Sequence, residues 1–410
     1  MKSNVFFSRL AHKIRASEVR ELLKWQEKKR IISFGGGFPD PELYPVDELA
    51  DIARDVILSY RDEALKYGTT EGLDELREEI LKFMKRFGIK VGGLNNIIIT
   101  SGSQQAIDIL SRILIDPGDV VIVEKPTYLA AINALSLSSP KYYGVPMDRE
   151  GMKIDALESL LKEIKRRNER VKFIYTIPTA QNPTGLTMSN ERRHRLIELA
   201  EEYDFLIVED NPYSYILFEP VKYEHLKSLD KTGRVIHLST LSKVLVPGLR
   251  IGWVIAEEEI TRKIVLAKQS IDICSSTLSQ YIAYEAFRRG LIDKQLKILP
   301  KFYKRKRDIM LCALEEYMPE RTHWIKPIGG MYIFVSLPDV VDTRELLIEA
   351  LNRGVCYIPG DSFFIDRSGR NTMRLNFSYP KAHEIEKGIK ILGELFREVM
   401  DKHLFTKVVA

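Results

Sequence analysis

The 410-residue sequence has only three cysteines and three tryptophans, and its charges nearly cancel, with 62 lysines and arginines against 57 aspartates and glutamates. The cysteines, Cys274, Cys312 and Cys356, are too widely separated for a disulfide framework or the close ligand spacing of a zinc site. Each is expected to be a small buried hydrophobe, and no metal is expected. A net charge of +5 with no obviously basic half gives no nucleic-acid surface. Basic clusters such as Lys165-Arg166-Arg167 and Lys304-Arg305-Lys306-Arg307 are expected on solvated helix faces. No apolar run approaches the roughly 20 residues that span a bilayer, and Met1-Lys2-Ser3-Asn4-Val5-Phe6-Phe7 lacks the long apolar core of a secretory signal. The expectation is a cytoplasmic protein with neither membrane nor nucleic acid as partner. Repeats and low-complexity tracts are absent as well.

What is present is a chain able to bury a large core, 45% hydrophobic and 29% charged. The charged fraction, rich in Lys, Arg and Glu, is compatible with heat adaptation. From about residue 46 to 290, short apolar runs alternate with charged helical stretches, the pattern of a mostly parallel sheet covered by helices on both faces. The predicted strands are 96–100, 120–124, 173–177, 205–209, 235–238 and 251–256, with helices such as 155–168 and 189–203 between several of them. After residue 290 long helices precede an antiparallel segment, Gly330-Met331-Tyr332-Ile333-Phe334-Val335, then helix, strand and helix. This is read as an α/β chain: a large domain over 46–290, a smaller α+β domain over 291–410, and residues 1–45 completing the small domain and the substrate site. That first segment holds a helical stretch, 17–28, and the turn Gly35-Gly36-Gly37-Phe38-Pro39.

In open α/β sheets ligands bind at the carboxyl ends of the strands, and the unusual polar clusters of this chain recur there. Lys243 stands in Ser239-Thr240-Leu241-Ser242-Lys243-Val244-Leu245-Val246-Pro247-Gly248-Leu249-Arg250. A lysine becomes a Schiff-base nucleophile when burial and neighbouring cations favour its unprotonated form, and Arg250 is one such cation. Thr240 and Ser242 offer hydroxyls to a phosphate. The plain alternative is a loop between two strands. A penicillin-binding Ser-x-x-Lys nucleophile is a poor rival, because the residue three before Lys243 is Thr240. Ser103 and Gln104 open a helix after strand 96–100, where backbone N–H groups point at any phosphate, or where the hydroxyl is an ordinary cap. Tyr128 follows strand 120–124 and is either a flat platform for a planar ring or a core residue. Asn182 stands before Pro183 after strand 173–177, with an amide to offer a phenolate oxygen or a plain turn to make. Asp210 and Tyr213 follow strand 205–209, a carboxylate that invites a cation or a helix cap. Five strand ends together supply a lysine, a carboxylate, a phosphate cup and an aromatic platform.

These residues resemble those of class I/II pyridoxal-phosphate-dependent aminotransferases of fold type I. Asn182-Pro183-Thr184-Gly185, Asp210-x-x-Tyr213, Thr240-x-Ser242-Lys243 and Pro247-Gly248-Leu249-Arg250-Ile251-Gly252 occur in that family's order and spacing. The resemblance runs over nearly the whole length and implies pyridoxal 5'-phosphate as cofactor. It implies that Lys243 anchors the cofactor as a Schiff base and later moves the substrate Cα proton. Asp210 would pair with the pyridine nitrogen and keep the ring an electron sink. Tyr213 and Asn182 would hydrogen-bond the ring hydroxyl, and Tyr128 would stack on the ring. Ser103, Gln104, Thr240, Ser242 and Arg250 would hold the phosphate. Tyr67, in Tyr67-Gly68-Thr69-Thr70-Glu71-Gly72, resembles the tyrosine that reaches the neighbouring subunit's phosphate, which implies a homodimer with shared active sites. Arg374 resembles the arginine that grips the substrate α-carboxylate with a planar fork.

Within the family, Ile31-Ile32-Ser33-Phe34-Gly35-Gly36-Gly37-Phe38-Pro39 and Ser101-Gly102-Ser103-Gln104-Gln105 resemble the aminoadipate, kynurenine and broad aromatic branch. Ser17 and Arg20 match that branch's Ser-x-x-Arg, which reaches a substrate side-chain carboxylate, and Gly37 offers a backbone contact to substrate. Arg20 on an amphipathic surface helix is the alternative. Gly35 departs from the branch, which more often has Ala there. The implied reaction moves an amino group from 2-aminoadipate, glutamate, aromatic amino acids or kynurenine to a 2-oxo acid, typically 2-oxoglutarate, by a ping-pong cycle. An alanine- or branched-chain-preferring or glyoxylate-using aminotransferase is the alternative. A cofactor-sensing regulator is less expected, because about 40 residues before the glycine turn are too few for a DNA-binding module.

Overall fold

The computed structural model describes residues 6–8, 10–14 and 31–409. Fourteen strands are found among them: β1 (Ile32–Ser33), β2 (Ile97–Thr100), β3 (Val120–Lys125), β4 (Lys141–Asp148), β5 (Gly151–Met152), β6 (Val171–Thr176), β7 (Leu206–Asp210), β8 (Val235–Thr240), β9 (Gly252–Ile255), β10 (His323–Trp324), β11 (Tyr332–Ser336), β12 (Val355–Cys356), β13 (Ile358–Pro359) and β14 (Thr372–Asn376). Eight form one sheet in the order β2-β9-β8-β7-β6-β3-β4-β5. From β8 to β4 every neighbouring pair is parallel, whereas β9 runs antiparallel to both β2 and β8.

The sheet forms because its strands are short β-branched runs buried on both faces. In β3, Val120 and Ile122 pack with Leu157, Leu161 and Leu196 on one side, while Val121 and Val123 pack with Ile107 and Leu110 on the other, as a period of two requires. Leu157, Leu161 and Ile164 are the buried stripe of helix Ile154–Arg166, and Ile107 and Leu110 belong to helix Ser103–Leu114. Each such side chain contributes roughly 1.5–3 kcal/mol by leaving water. The layers are those of an α/β fold with a mixed, mostly parallel sheet.

A four-stranded antiparallel sheet, β10-β11-β14-β13, carries the later chain, and β1 pairs in parallel with β12. The long helix Leu291–Tyr317 packs on helix Ala382–Val409. Two expectations are corrected. Lys306 and Arg307 are buried rather than solvated: Lys306 Nζ donates to Asp40 Oδ2 and to the Ser378 carbonyl, each at 2.5 Å, and Arg307 Nη1 donates to the Pro327 carbonyl at 2.8 Å. Of the cysteines only Cys356 is fully buried; Cys312 is exposed and Cys274 partly so. Cys312 is on the long helix at a position that the described residues leave exposed.

Candidate active site

The antiparallel run of β9 decides where the site lies. Its first residue, Gly252, is in register with Thr100 at the end of β2 and with Thr240 at the end of β8, so Arg250, two residues earlier, arrives at the same edge as the carboxyl ends of its neighbours. A Cβ on Gly252 would come within 2.7 Å of the Gly102 carbonyl carbon; only glycine lets that strand lie so close under the start of helix Ser103–Leu114. Gly102 precedes that helix with φ +77, a conformation glycine adopts at no steric cost. Arg250, itself left-handed at φ 57, donates Nη2 to the Ser101 carbonyl at 3.1 Å and Nη1 to Ser242 Oγ at 3.4 Å. Helix amides, a hydroxyl and a guanidinium thus converge on one small space.

Beyond that cup opens a cavity of about 1490 Å³, lined by Ser103, Gln104, Tyr128, Asn182, Asp210, Tyr213, Thr240, Ser242, Lys243, Arg250, Tyr332, Arg374 and Gly37 among others. Lys243 follows β8 on a tight turn in which Thr240 Oγ1 accepts from the Ser242 amide at 3.1 Å. The lysine reaches across the cavity and donates Nζ to the Gly37 carbonyl at 2.7 Å. Burial, helped by Arg374 and Arg250 and opposed by Tyr332 and Asp210, holds its pKa below the ordinary lysine value. That shift is the one a Schiff-base nucleophile needs.

Asp210 ends β7, 2% exposed. Its Oδ2 accepts from the Tyr175 hydroxyl at 2.6 Å, whereas its Oδ1 is buried without a hydrogen-bond partner among the described residues. Burial pushes the carboxyl up to about 6, against the pull of Tyr175 and Lys243. A buried, unpartnered carboxylate oxygen is costly unless a cationic N–H meets it. A protonated pyridine ring nitrogen is such a group, and the neighbouring phosphate cup and aromatic Tyr128 fit the rest of a phosphorylated pyridine.

Arg374, on β14, is fully enclosed. Its Nη1 donates to Asn182 Oδ1 at 2.9 Å and its Nη2 to the Gly35 carbonyl at 2.8 Å, while Nε is buried without a described partner. The guanidinium lies 4.3 Å from the ring centre of Tyr332, a cation–π contact. Tyr213 donates its hydroxyl to Tyr332 Oη at 3.3 Å. Asn182, on the loop after β6, therefore links the arginine to the cavity wall.

Gln104 turns its amide to the Ala130 carbonyl at 3.2 Å, and Thr240 Oγ1 lies 2.8 Å from the Ile251 carbonyl, so both side chains already serve the cup's own walls. Tyr67 does not line the cavity and is 80% exposed. Ser17 and Arg20 lie outside the described residues. Two neighbours were not singled out from sequence: Tyr175, a strand residue like any other until its hydroxyl meets Asp210, and Tyr332, read only as part of an antiparallel strand.

A family model for aminotransferase class I and II matches residues 30–392. The chain belongs to that family. This aminotransferase is 47% identical over 400 residues to aromatic-amino-acid aminotransferase 1 of Thermococcus litoralis, covering 97% of this chain and 95% of the relative. It is 34% identical to 2-aminoadipate transaminase of Thermus thermophilus, covering 96% and 97%. Among solved structures, Pyrococcus horikoshii kynurenine aminotransferase, crystallised with PMP, kynurenine substrate and its product, is 47% identical with a TM-score of 0.93, covering 97% and 98%. The aminotransferase is an enzyme of amino-acid transamination that depends on pyridoxal phosphate, and its fold is that of fold type I.

Proposed function

We propose that this aminotransferase takes an aromatic amino acid, kynurenine, 2-aminoadipate or glutamate as donor and a 2-oxo acid, typically 2-oxoglutarate, as acceptor, in a ping-pong cycle at the cavity around Lys243. The reading is supported by the names of the similar proteins and, within the cavity, by one observation above the rest: a depressed lysine and an unpartnered buried carboxylate oxygen facing one space.

Bound pyridoxal phosphate supplies an electrophilic carbon and a ring that takes up electron density. Asp210 Oδ1, which has no other described partner, would pair with the ring nitrogen and keep it protonated. Tyr213 and Asn182 would hydrogen-bond the ring hydroxyl, and Tyr128 would hold the ring's face. Ser103, Gln104, Thr240, Ser242 and Arg250 would form the phosphate end. Arg374 grips the α-carboxylate, Gly37 meets the substrate through its backbone, and Ser17 with Arg20 reaches an acidic side chain. Lys243 Nζ, once it leaves the Gly37 carbonyl, holds and moves the Cα proton.

We further propose a homodimer in which Tyr67 completes the partner's phosphate site. Tyr67 is exposed, as is Leu65 two residues earlier, and Ile271 and Ile273 are exposed before helix Thr277–Arg288; the Gly68 backbone approaches Thr277 of that helix. The organisation follows the same logic: residues 46–290 as the cofactor-binding domain, 291–410 as the small domain, and 1–45 completing the latter. No described helix is long and apolar enough to cross a membrane. Three free cysteines suit a reducing compartment, and we place the enzyme in the cytoplasm.

The deciding experiment is Lys243→Ala. It removes the anchor and a proton-transfer group alone worth roughly 10²- to 10⁴-fold, so multiple turnover in the purified variant is expected to disappear. Near-normal turnover would falsify the mechanism.

A further inference from the structure

Tyr332 has no role in the mechanism above, yet it lines the cavity beside Arg374 and near Lys243. It sits at the start of β11, its residue 2% exposed. Its ring lies under the Arg374 guanidinium at 4.3 Å. Its hydroxyl oxygen accepts from Tyr213 at 3.3 Å, and among the described residues nothing accepts its own proton. The oxygen stands over Gly37, where an added Cβ would come within 2.5 Å of it. Gly37 is also the residue whose carbonyl takes the Lys243 amine. A hydroxyl with a proton still to donate therefore stands near two cationic side chains, Arg374 and Lys243, and that is where an anion belongs.

We propose that Tyr332 is a substrate-binding residue that donates its hydroxyl to the carboxylate held by Arg374, and that Gly37 is glycine because the hydroxyl needs its space. The inference rests on the reading of Arg374 as the carboxylate grip. Burial works to raise the Tyr332 phenol, but Arg374 and Lys243 outweigh it and the net shift is downward. A more acidic phenol is a stronger donor to a carboxylate.

The test uses the holoenzyme and 3-phenylpropanoate, a carboxylate that lacks the amino group and cannot react, with binding followed by calorimetry. Tyr332→Phe keeps the ring under Arg374 and removes only the hydroxyl. It is expected to weaken binding roughly ten- to hundredfold while the dissociation constant for the cofactor stays unchanged. Gly37→Ala alone is also expected to weaken binding, because its methyl meets the hydroxyl oxygen. Gly37→Ala combined with Tyr332→Phe is expected to bind no worse than Tyr332→Phe alone, since the nearest remaining Tyr332 atom is then 3.6 Å away. Binding by Tyr332→Phe equal to wild type overturns the inference, as does full additivity of the two substitutions. Arg374→Gln separates the levels: if it too binds like wild type, the carboxylate grip itself has been misplaced, whereas weakened binding there with an unaffected Tyr332→Phe sinks only the proposal for Tyr332.

Discussion

Asp210 shows how a buried carboxyl is held in an unfavourable state by the fold around it. In the folded apoprotein its carboxyl, pushed up to about 6, keeps a proton that the unfolded chain has already released above the usual carboxylate value of about 4. Native protein thus binds more protons than unfolded protein between about pH 4 and pH 6, and stability falls as pH rises through that window, by about 3 kcal/mol in all. Asp210→Asn carries no such charge. The variant apoprotein is expected to match wild type in melting temperature near pH 4, to be the more stable by pH 7, and to gain nothing further above that, while its turnover collapses. Parallel melting curves of the two proteins across pH would show that the carboxyl is not strained. Asp210, Asn182 and Lys243 were legible in the sequence because each stands at a strand end among residues that punctuate the chain. Tyr332 and Tyr175 were not, because a tyrosine inside a β-branched run looks the same whether its hydroxyl meets a core atom or a site. Lys306 and Arg307 misled for the opposite reason: four consecutive basic residues on a helix suggest water, but on a helix two of every four point inward, and here they find Asp40 and the Pro327 carbonyl.

At the scale of elements, the proposed phosphate end depends on two backbones meeting, β9 and the start of helix Ser103–Leu114. Gly102→Ala would hold a side chain at φ 77 and ψ 166, backbone that is essentially reserved for glycine and costs roughly 1–3 kcal/mol, and would drive its methyl into Arg250 Nη2. The arginine is the part that can move, and it would move out of the cup. Cofactor affinity is expected to drop roughly tenfold or more, measured by titrating apoprotein with pyridoxal phosphate; affinity equal to wild type would mean that Arg250 does not serve the phosphate. The six strands expected from apolar runs all appear, their ends displaced by at most two residues. β4 was missed, since Lys141-Tyr142-Tyr143-Gly144-Val145-Pro146 is largely half-exposed and carries a glycine and a proline, both weak strand signals. The reversal of β9 was also invisible, because direction is set by pairing and not by pattern.

For the whole molecule, the proposed division into a parallel-sheet body and a later α+β body rests on the change of pattern near residue 290, while β1 and β12, two residues each, were too short to leave any periodic trace. The proposed dimer gives the prediction at this scale. Leu65, 62% exposed two residues before Tyr67, is an expensive residue to leave in water and a cheap one to bury against a second copy. Leu65→Arg is expected to shift the sedimenting species toward monomer and to lower activity increasingly on dilution; an unchanged dimer would place the interface elsewhere. The ion pair of Lys306 with Asp40 has a mechanical consequence. Asp40 follows directly on Gly37, Phe38 and Pro39, the Asp40 amide donates to the Tyr303 hydroxyl at 3.0 Å, and the same lysine holds the Ser378 carbonyl, just past β14 and Arg374. The glycine turn is therefore bolted to the frame that carries the arginine, although more than three hundred residues separate them in sequence. If the proposed roles of Gly37 and Arg374 hold, the floor of the substrate pocket and its clamp are tied together through Lys306 as one jaw. In the proposed mechanism the hydrogen bond from Lys243 to Gly37 would be a latch between this jaw and the sheet, broken when the lysine turns to its chemistry.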